Sequence, residues 1–150
     1  MNIFVLDADP VEAARAQHDK HVVKMVLESA QLLCGPQPGA PYKPTHMAHP
    51  CARWARASRA NYLWLAEHAL ALAAEYTRRF ERVHASERVI WWCAARADEI
   101  HEGPLQPHAQ AMPEAYRGPC AVAAYRRYYV AEKLRGARWT RRGRPAWCAS

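Results

Sequence analysis

The chain has 150 residues, 51% of them hydrophobic and 23% charged, which excludes an intrinsically disordered chain and suits one compact domain. No apolar run approaches the roughly 20 residues of a membrane-spanning helix, and the first residues lack the pattern of a secretory signal. Five widely spaced cysteines without a Cys-x-x-Cys pair argue against a disulfide framework or a cysteine zinc site. We therefore expect a soluble, cytoplasmic protein without membrane contact, and a monomer is favoured.

The net charge of +7 is concentrated at one end of the chain. Residues 116–150 contain nine Lys and Arg but only one Glu, a balance of +8, so residues 1–115 together carry −1. Arginine clusters with interleaved aromatic residues favour phosphate contact and base stacking, so DNA or RNA is the expected partner. A solvated arginine-rich surface is the alternative. The candidate nucleic-acid contacts are Lys24, Arg117, Arg126, Arg127, Arg138, Arg141 and Arg142.

The predicted elements begin with an apolar run at residues 3–6, which is typical of an edge strand or an extended arm. Asp9 and Pro10 then provide the cap and first position of a helix that ends near Cys34, with a break around residues 17–19. Four prolines and two glycines in residues 35–45 predict a loop.

A long helical stretch follows at about residues 50–80, divided near Ser58, which can cap a second segment. Its predicted buried stripe consists of Leu63, Trp64, Leu65, Leu70, Leu72 and Tyr76. Ser86 and Glu87 open a shorter helix around residues 89–95, and a loop at residues 103–118 precedes a last helix at about residues 121–134. The fold class is therefore mainly α, a single compact helical domain over residues 1–150 with a short N-terminal extended arm.

Two histidines and a glutamate lie on one face of the predicted first helix. His18, His21, Met25, Glu28 and Leu32 follow at spacings of 3, 4, 3 and 4, which places them in line along a helix. A face of this kind is either a hydrogen-bonded network in the core or the wall of a cleft. Glu28 and the two histidines are therefore candidate site residues.

A second pair, His46 and His49, stands where the proline-rich loop meets the next helix, a place where backbone N–H groups favour anions. Neither histidine pair has the His-x-x-x-His spacing of a helical metal site, so we expect no metal ion. Asn61 and Tyr62 open an aromatic-rich stretch. Most of its rings are expected in the core, and a minority in a base pocket.

Several short motifs occur in a characteristic order. The first helix carries Asp19-x-His21 with Glu28 seven residues later, and a histidine precedes the long central helix. Residues 113–118 read PEAYRG and residues 144–147 read RPAW, both within the C-terminal part of the chain. In this combination, most of the chain resembles the pyrimidine-dimer DNA glycosylases of the phage T4 endonuclease V type.

The resemblance implies a small, helical, cofactor-free DNA-repair enzyme with a T4 endonuclease V-like fold. In that family the N-terminal α-amine attacks the deoxyribose C1′, releases the base and forms a Schiff base that undergoes β-elimination. Amines of this kind suit the step because a pKa of about 7.7–8.0 leaves a neutral fraction near pH 7. For this chain the resemblance implies that the nucleophilic amine is that of Met1, that the catalytic glutamate is Glu28, and that His21 orients or contacts the substrate. The other candidate substrate contacts are His18, His46, His49, Asn61 and Tyr62.

Three positions differ from the family pattern. Leu27 and Gln31 stand where the family has arginines that grip phosphates, and Asn2 stands where the family has a small residue. The first hypothesis is a DNA glycosylase with an AP-lyase step. The alternatives are a glycosylase or nucleotide-processing enzyme that acts on a modified base without the lyase step, a non-enzymatic nucleic-acid-binding protein and, least favoured, a histidine-metal hydrolase.

Overall fold

The computed structural model describes residues 1–149, and in this range six α-helices form one helical domain. They are α1 (Pro10–Ala16), α2 (Asp19–Cys34), α3 (Pro50–Ala57), α4 (Arg59–Phe80), α5 (Glu87–Ala94) and α6 (Ala121–Glu132). No strand occurs within these residues, which confirms the mainly α class. None of the helices described is long and apolar enough to cross a membrane.

Short-range capping determines where the first two helices begin. Asp9 accepts hydrogen bonds from the backbone N–H groups of Val11 and Glu12, and Pro10 occupies the first position of α1. Gln17 is extended, and the ring of His18 caps α2 by accepting from the N–H of His21. The predicted break between the two helices is confirmed.

Ser58 divides the long helical stretch as predicted. It is extended, and its hydroxyl accepts from the N–H of Asn61 to begin α4. Helix α4 is the central helix, with α1, α2, α3 and α5 packed around it. The predicted stripe is wrong at Leu63, which is 47% exposed. The buried face of α4 contains Tyr62 and Leu65, and Leu63 lies outside that face.

The residues between α2 and α3 are irregular, as predicted, and the loop predicted at residues 103–118 is irregular apart from a 3-10 turn at Glu114–Tyr116. The helix α5 begins at Glu87, but the Ser86 side chain makes no capping bond. Its hydroxyl instead lies 2.8 Å from the hydroxyl of Tyr42, which ties the proline-rich loop to α5.

The N-terminal arm, residues 1–6, lies between α2 and α6, with residues 2–6 buried. Phe4 stacks on His21 of α2, and the edges of Tyr125 and Tyr129 of α6 pack against the same ring. Arg126 of α6 donates to the carbonyl of Leu6. The two ends of the sequence therefore meet in the fold.

A buried ionic network attaches the basic C-terminal tail to the helices. Arg79 is fully buried and donates to Glu75 over 2.9 Å and to Asp19 over 3.2 Å. Arg142 in the tail pairs with the same Glu75. Asp19 also accepts from the backbone N–H of Thr140 over 2.9 Å. Two guanidinium groups and two carboxylates thus compensate each other where a single buried charge would be costly.

Candidate active site

Asn2 holds the start of the arm through four hydrogen bonds of its side chain. Its side-chain oxygen accepts from the N–H of Ile3 at 2.8 Å, from the N–H of Phe4 at 3.2 Å and from the hydroxyl of Tyr125 at 3.0 Å. Its amide nitrogen donates to the carbonyl of Ala111 over 2.8 Å. The residue next to the N-terminal amine is therefore held in place by α6 and the loop before it.

Phe4 turns the arm sharply. Its φ of 58° lies in the left-handed region, which costs a non-glycine residue about 1–2 kcal/mol. The stacking of its ring on His21, with centroids 4.2 Å apart, offsets that cost and keeps the turn. The turn and the Asn2 bonds together direct Met1 towards α2.

The N-terminal amine of Met1 lies 3.0 Å from Oε1 of Glu28. The two side chains are 3% and 9% exposed, yet Met1 as a whole residue is partly exposed. The accessible surface of Met1 therefore belongs mainly to its backbone atoms. An amine and a carboxylate held together in this way form a ready pair for nucleophilic attack and proton transfer.

The second carboxylate oxygen of Glu28 has the capacity to accept a further hydrogen bond. Oε2 is buried and makes no hydrogen bond to any residue in the range 1–149. Nζ of Lys24, one turn earlier on α2, is 3.7 Å away, which is too long for a hydrogen bond. Lys24 is 69% exposed, so it adds positive charge at the edge of the site.

His49 is brought to the same place by α3. Its Nδ1 caps the helix by accepting from the N–H of Cys51 over 3.0 Å, so a neutral His49 carries its proton on Nε2. Burial lowers the pKa of His49, and the positive charge at the N-terminus lowers it further. Burial also raises the pKa of the Cys51 thiol to about 12, which keeps the thiol protonated.

His18 and His21 belong to a buried network that supports the arm. The hydroxyl of Tyr129 accepts from the N–H of His18 at 3.1 Å and lies 2.8 Å from Nδ1 of His21. Burial lowers the pKa of His21 to about 3, so the ring is neutral at physiological pH. Held by Tyr129, the His21 ring stacks on Phe4 and so fixes the orientation of the Phe4 ring.

Three predicted substrate contacts lie in other surroundings. His46 is exposed in the loop before α3, and its ring bonds to Thr45. Asn61 is buried, donating to the carbonyl of Trp54 and accepting from the N–H of Gln106. Tyr62 is buried with its hydroxyl donating to the carbonyl of Leu33. Asn61 and Tyr62 are therefore engaged in the core and do not join Met1 and Glu28.

The predicted nucleic-acid contacts fall into two groups. Arg126, Arg141 and Arg142 pair with Asp7, Glu81 and Glu75, so part of the basic excess stabilises the fold. Of the arginines predicted to contact nucleic acid, Arg117, Arg127 and Arg138 are exposed and have no carboxylate partner among the described residues. Arg117 and Arg127 each bond to a backbone carbonyl, which leaves their charge uncompensated. These three arginines and Lys24 are therefore the predicted contacts whose charged groups are exposed.

Two residues that position the site, Asn2 and Tyr125, have no catalytic motif in the sequence. Their only signal is that one follows Met1 and the other lies in the aromatic, basic last helix. Within residues 1–149, no three His, Cys, Asp or Glu side chains lie close enough together to hold a metal ion.

The site and fold together define a small helical protein whose N-terminal amine contacts a buried carboxylate. Comparison with protein-family models, curated proteins and solved structures finds no significant match to this chain.

Proposed function

We propose that this protein is a DNA N-glycosylase with an AP-lyase step, in which the Met1 amine is the nucleophile and Glu28 its catalytic partner. The observation that carries the proposal is the 3.0 Å separation of the amine and Oε1. These groups are 27 residues apart in the chain. The turn at Phe4 and the hydrogen bonds of Asn2 bring them together. The basic surface supports DNA as the partner.

The chemistry begins with loss of a proton from the Met1 ammonium, with Glu28 as a nearby acceptor. The neutral amine attacks C1′ of the deoxyribose, the bond from C1′ to the base breaks, and the departing base takes the proton that Glu28 accepted. One N–H proton of the resulting ammonium then moves to O4′ as the sugar ring opens. This leaves an iminium ion at C1′, and the ionised Glu28 stabilises that positive charge. Removal of a C2′ proton then expels the 3′-phosphate by β-elimination.

Borohydride trapping on a duplex with one abasic site tests the proposal. Reduction of the iminium ion would join Met1 to the DNA, and mass spectrometry of the adduct would locate the bond. Glu28→Gln is expected to lower the trapping rate by about 100-fold or more, the usual range for a lost acid–base group. Glu12→Gln, an exposed carboxylate paired with Arg15 on α1, is the matched control and should trap normally.

A second variant tests the amine itself. One residue inserted before Met1 moves the amine by about 3.8 Å along the chain and should abolish the adduct. If the wild-type protein forms no adduct, or if the inserted variant traps as fast as wild type, the amine mechanism is wrong. Base release without trapping would favour a glycosylase without the lyase step, and DNA binding without reaction would favour a binding protein.

A further inference from the structure

Two buried cysteines meet where α2 and α5 end. Cys34 is the last residue of α2, and Cys93 is the second-last residue of α5. Their sulfur atoms lie 3.6 Å apart, although the residues are 59 positions apart in the chain. Both side chains are fully buried. Among the other cysteines of residues 1–149, no two sulfur atoms are in such contact.

Hydrogen bonds hold the chain on both sides of Cys34. The Tyr62 hydroxyl donates to the carbonyl of Leu33 over 2.7 Å. The side-chain amide of Gln37 donates to the Tyr62 hydroxyl over 3.2 Å and to the carbonyl of Arg96 over 3.0 Å. These bonds join the end of α2 to α4 and to the residues that follow α5. The two thiols therefore face each other within a well-connected part of the core.

The sulfur atoms are close enough to be joined by a covalent bond. A disulfide has a sulfur–sulfur distance of about 2.05 Å, so the two atoms need to approach by roughly 1.5 Å from the observed 3.6 Å. Small rotations of the two side chains about their Cα–Cβ bonds can supply a movement of this size. The fold thus places Cys34 and Cys93 in position for a disulfide.

Their contact also makes the two thiols chemically different. The hydrogen bond with Cys93 lowers the pKa of the Cys34 thiol, and the same bond raises the pKa of the Cys93 thiol. Cys34 is therefore the partner that forms a thiolate more readily, and Cys93 is the partner that keeps its proton. The thiolate is the form of cysteine that reacts with peroxides.

Access to Cys34 depends on the proline-rich loop. The backbone N–H of Tyr42 in this loop lies against Cys34 and contributes to the lowered pKa of its thiol. Irregular segments of this kind open locally more readily than packed helices. Hydrogen peroxide is little larger than water, so a brief opening of residues 35–45 admits it to the Cys34 sulfur.

We propose that Cys34 and Cys93 are a redox-active dithiol, which hydrogen peroxide converts into a disulfide between α2 and α5. The Cys34 thiolate attacks one peroxide oxygen, the O–O bond breaks, and the departing hydroxide is protonated to water. The Cys93 sulfur then loses its proton and attacks the Cys34 sulfenic acid, whose S–O bond breaks to release a second water. Two thiols and one peroxide thus give one disulfide and two waters. A dithiol such as dithiothreitol reverses the change by exchange.

The disulfide is expected to stabilise the folded protein. It closes a long loop of the chain that contains α3 and α4, and such a link removes conformational freedom from the unfolded state. We expect oxidation to raise the melting temperature by about 5–10 °C. None of these effects involves DNA or the Met1 amine, so the inference is independent of the proposed function.

Peptide mapping without reduction tests the proposal. The parent protein carries Cys120→Ser, because Cys120 is exposed and can join two copies of the chain. After peroxide treatment, mass spectrometry should find the Cys34 peptide linked to the Cys93 peptide, and dithiothreitol should undo both the link and the rise in melting temperature. The matched control adds Cys148→Ser, which removes a buried cysteine outside the pair and should leave both responses unchanged.

Two further measurements make the test decisive. Adding Cys93→Ser to the parent should abolish the rise in melting temperature. Oxidation of the parent protein in concentrated urea gives the distribution of cysteine pairings without the fold, and this comparison requires no variant of the pair to fold. If the folded protein forms the Cys34–Cys93 disulfide no more often than the protein in urea does, the proposal is overturned. It is also overturned if peroxide leaves the melting temperature of the parent unchanged or raises that of the Cys93→Ser variant equally.

Discussion

The hydroxyl of Tyr125 lies 3.0 Å from the side-chain oxygen of Asn2, a contact between residues 123 positions apart. The same hydroxyl lies 3.0 Å from the carbonyl of Ala109 and accepts from the N–H of Ala111. Since a phenol has one proton, Tyr125 shares it between the two acceptors. The last helix thereby holds the residue that follows the N-terminal amine.

Tyr125→Phe should therefore loosen the arm. We expect the free energy of unfolding to fall by about 1–3 kcal/mol, because buried acceptors lose their donor, and borohydride trapping to slow. Urea unfolding followed by circular dichroism measures the first effect. The matched control is Tyr128→Phe, since the Tyr128 hydroxyl makes no hydrogen bond in the part of the chain described. Trapping by Tyr125→Phe at the wild-type rate would show that the amine does not depend on this contact.

Glu75→Gln should be strongly destabilising. The substitution removes the negative charge that compensates the fully buried Arg79. The same carboxylate also pairs with Arg142. A buried ion pair that loses one partner typically costs about 3–5 kcal/mol, and we expect a loss of this size in urea unfolding. Glu67→Gln, an exposed carboxylate on the same helix, should change stability by no more than about 0.5 kcal/mol. Equal stability of the two variants would contradict the role of the network.

Acid should destabilise the protein through His68. Complete burial of the ring lowers its pKa to about 4 from an ordinary value of about 6.5, and the hydrogen bond to the Pro10 carbonyl opposes only part of that shift. The unfolded state then binds more protons between these pH values, so stability is complete above about pH 6.5 and declines towards pH 4. The slope for one histidine is about 1.4 kcal/mol per pH unit.

His68→Gln tests that assignment by unfolding at pH 7 and pH 5. The variant should lose less stability between the two pH values than wild type does. Burial also lowers the pKa values of His21 and His108, so the variant will keep part of the pH dependence of stability. An unchanged dependence in His68→Gln would assign the effect to other groups.

Neighbouring arginines on α6 should behave differently when they are changed. Arg127 is exposed, and Arg127→Gln should lower the slope of log affinity for DNA against log salt by about 0.9 for one lost phosphate contact. Arg126 bonds to Asp7 and Leu6, so Arg126→Gln should instead lower stability by about 1 kcal/mol. Fluorescence anisotropy at several salt concentrations and urea unfolding distinguish the two. Identical salt slopes for wild type and Arg127→Gln would place the DNA surface elsewhere.

Much of the secondary structure is predictable because helix boundaries depend on neighbouring residues. Asp9, Pro10 and Ser58 act on backbone groups no more than three positions away, and the two boundaries predicted from them are confirmed. Which face of a helix becomes buried depends less on neighbouring residues in the sequence. Leu63 has the apolar character of a core residue but is exposed, since its neighbours occupy the contacts that α4 makes with the other helices.

Caps, breakers and helical spacing act over a few residues, so the helical class, the element order and the candidacy of Glu28 can be predicted from local patterns. Other features arise only when the chain folds: Met1 contacts Glu28, Asn2 and Tyr125 hold the arm, and Arg126 and Arg142 have internal partners. Each of these contacts joins segments far apart in the chain, and packing of the arm between α2 and α6 sets which side chains meet.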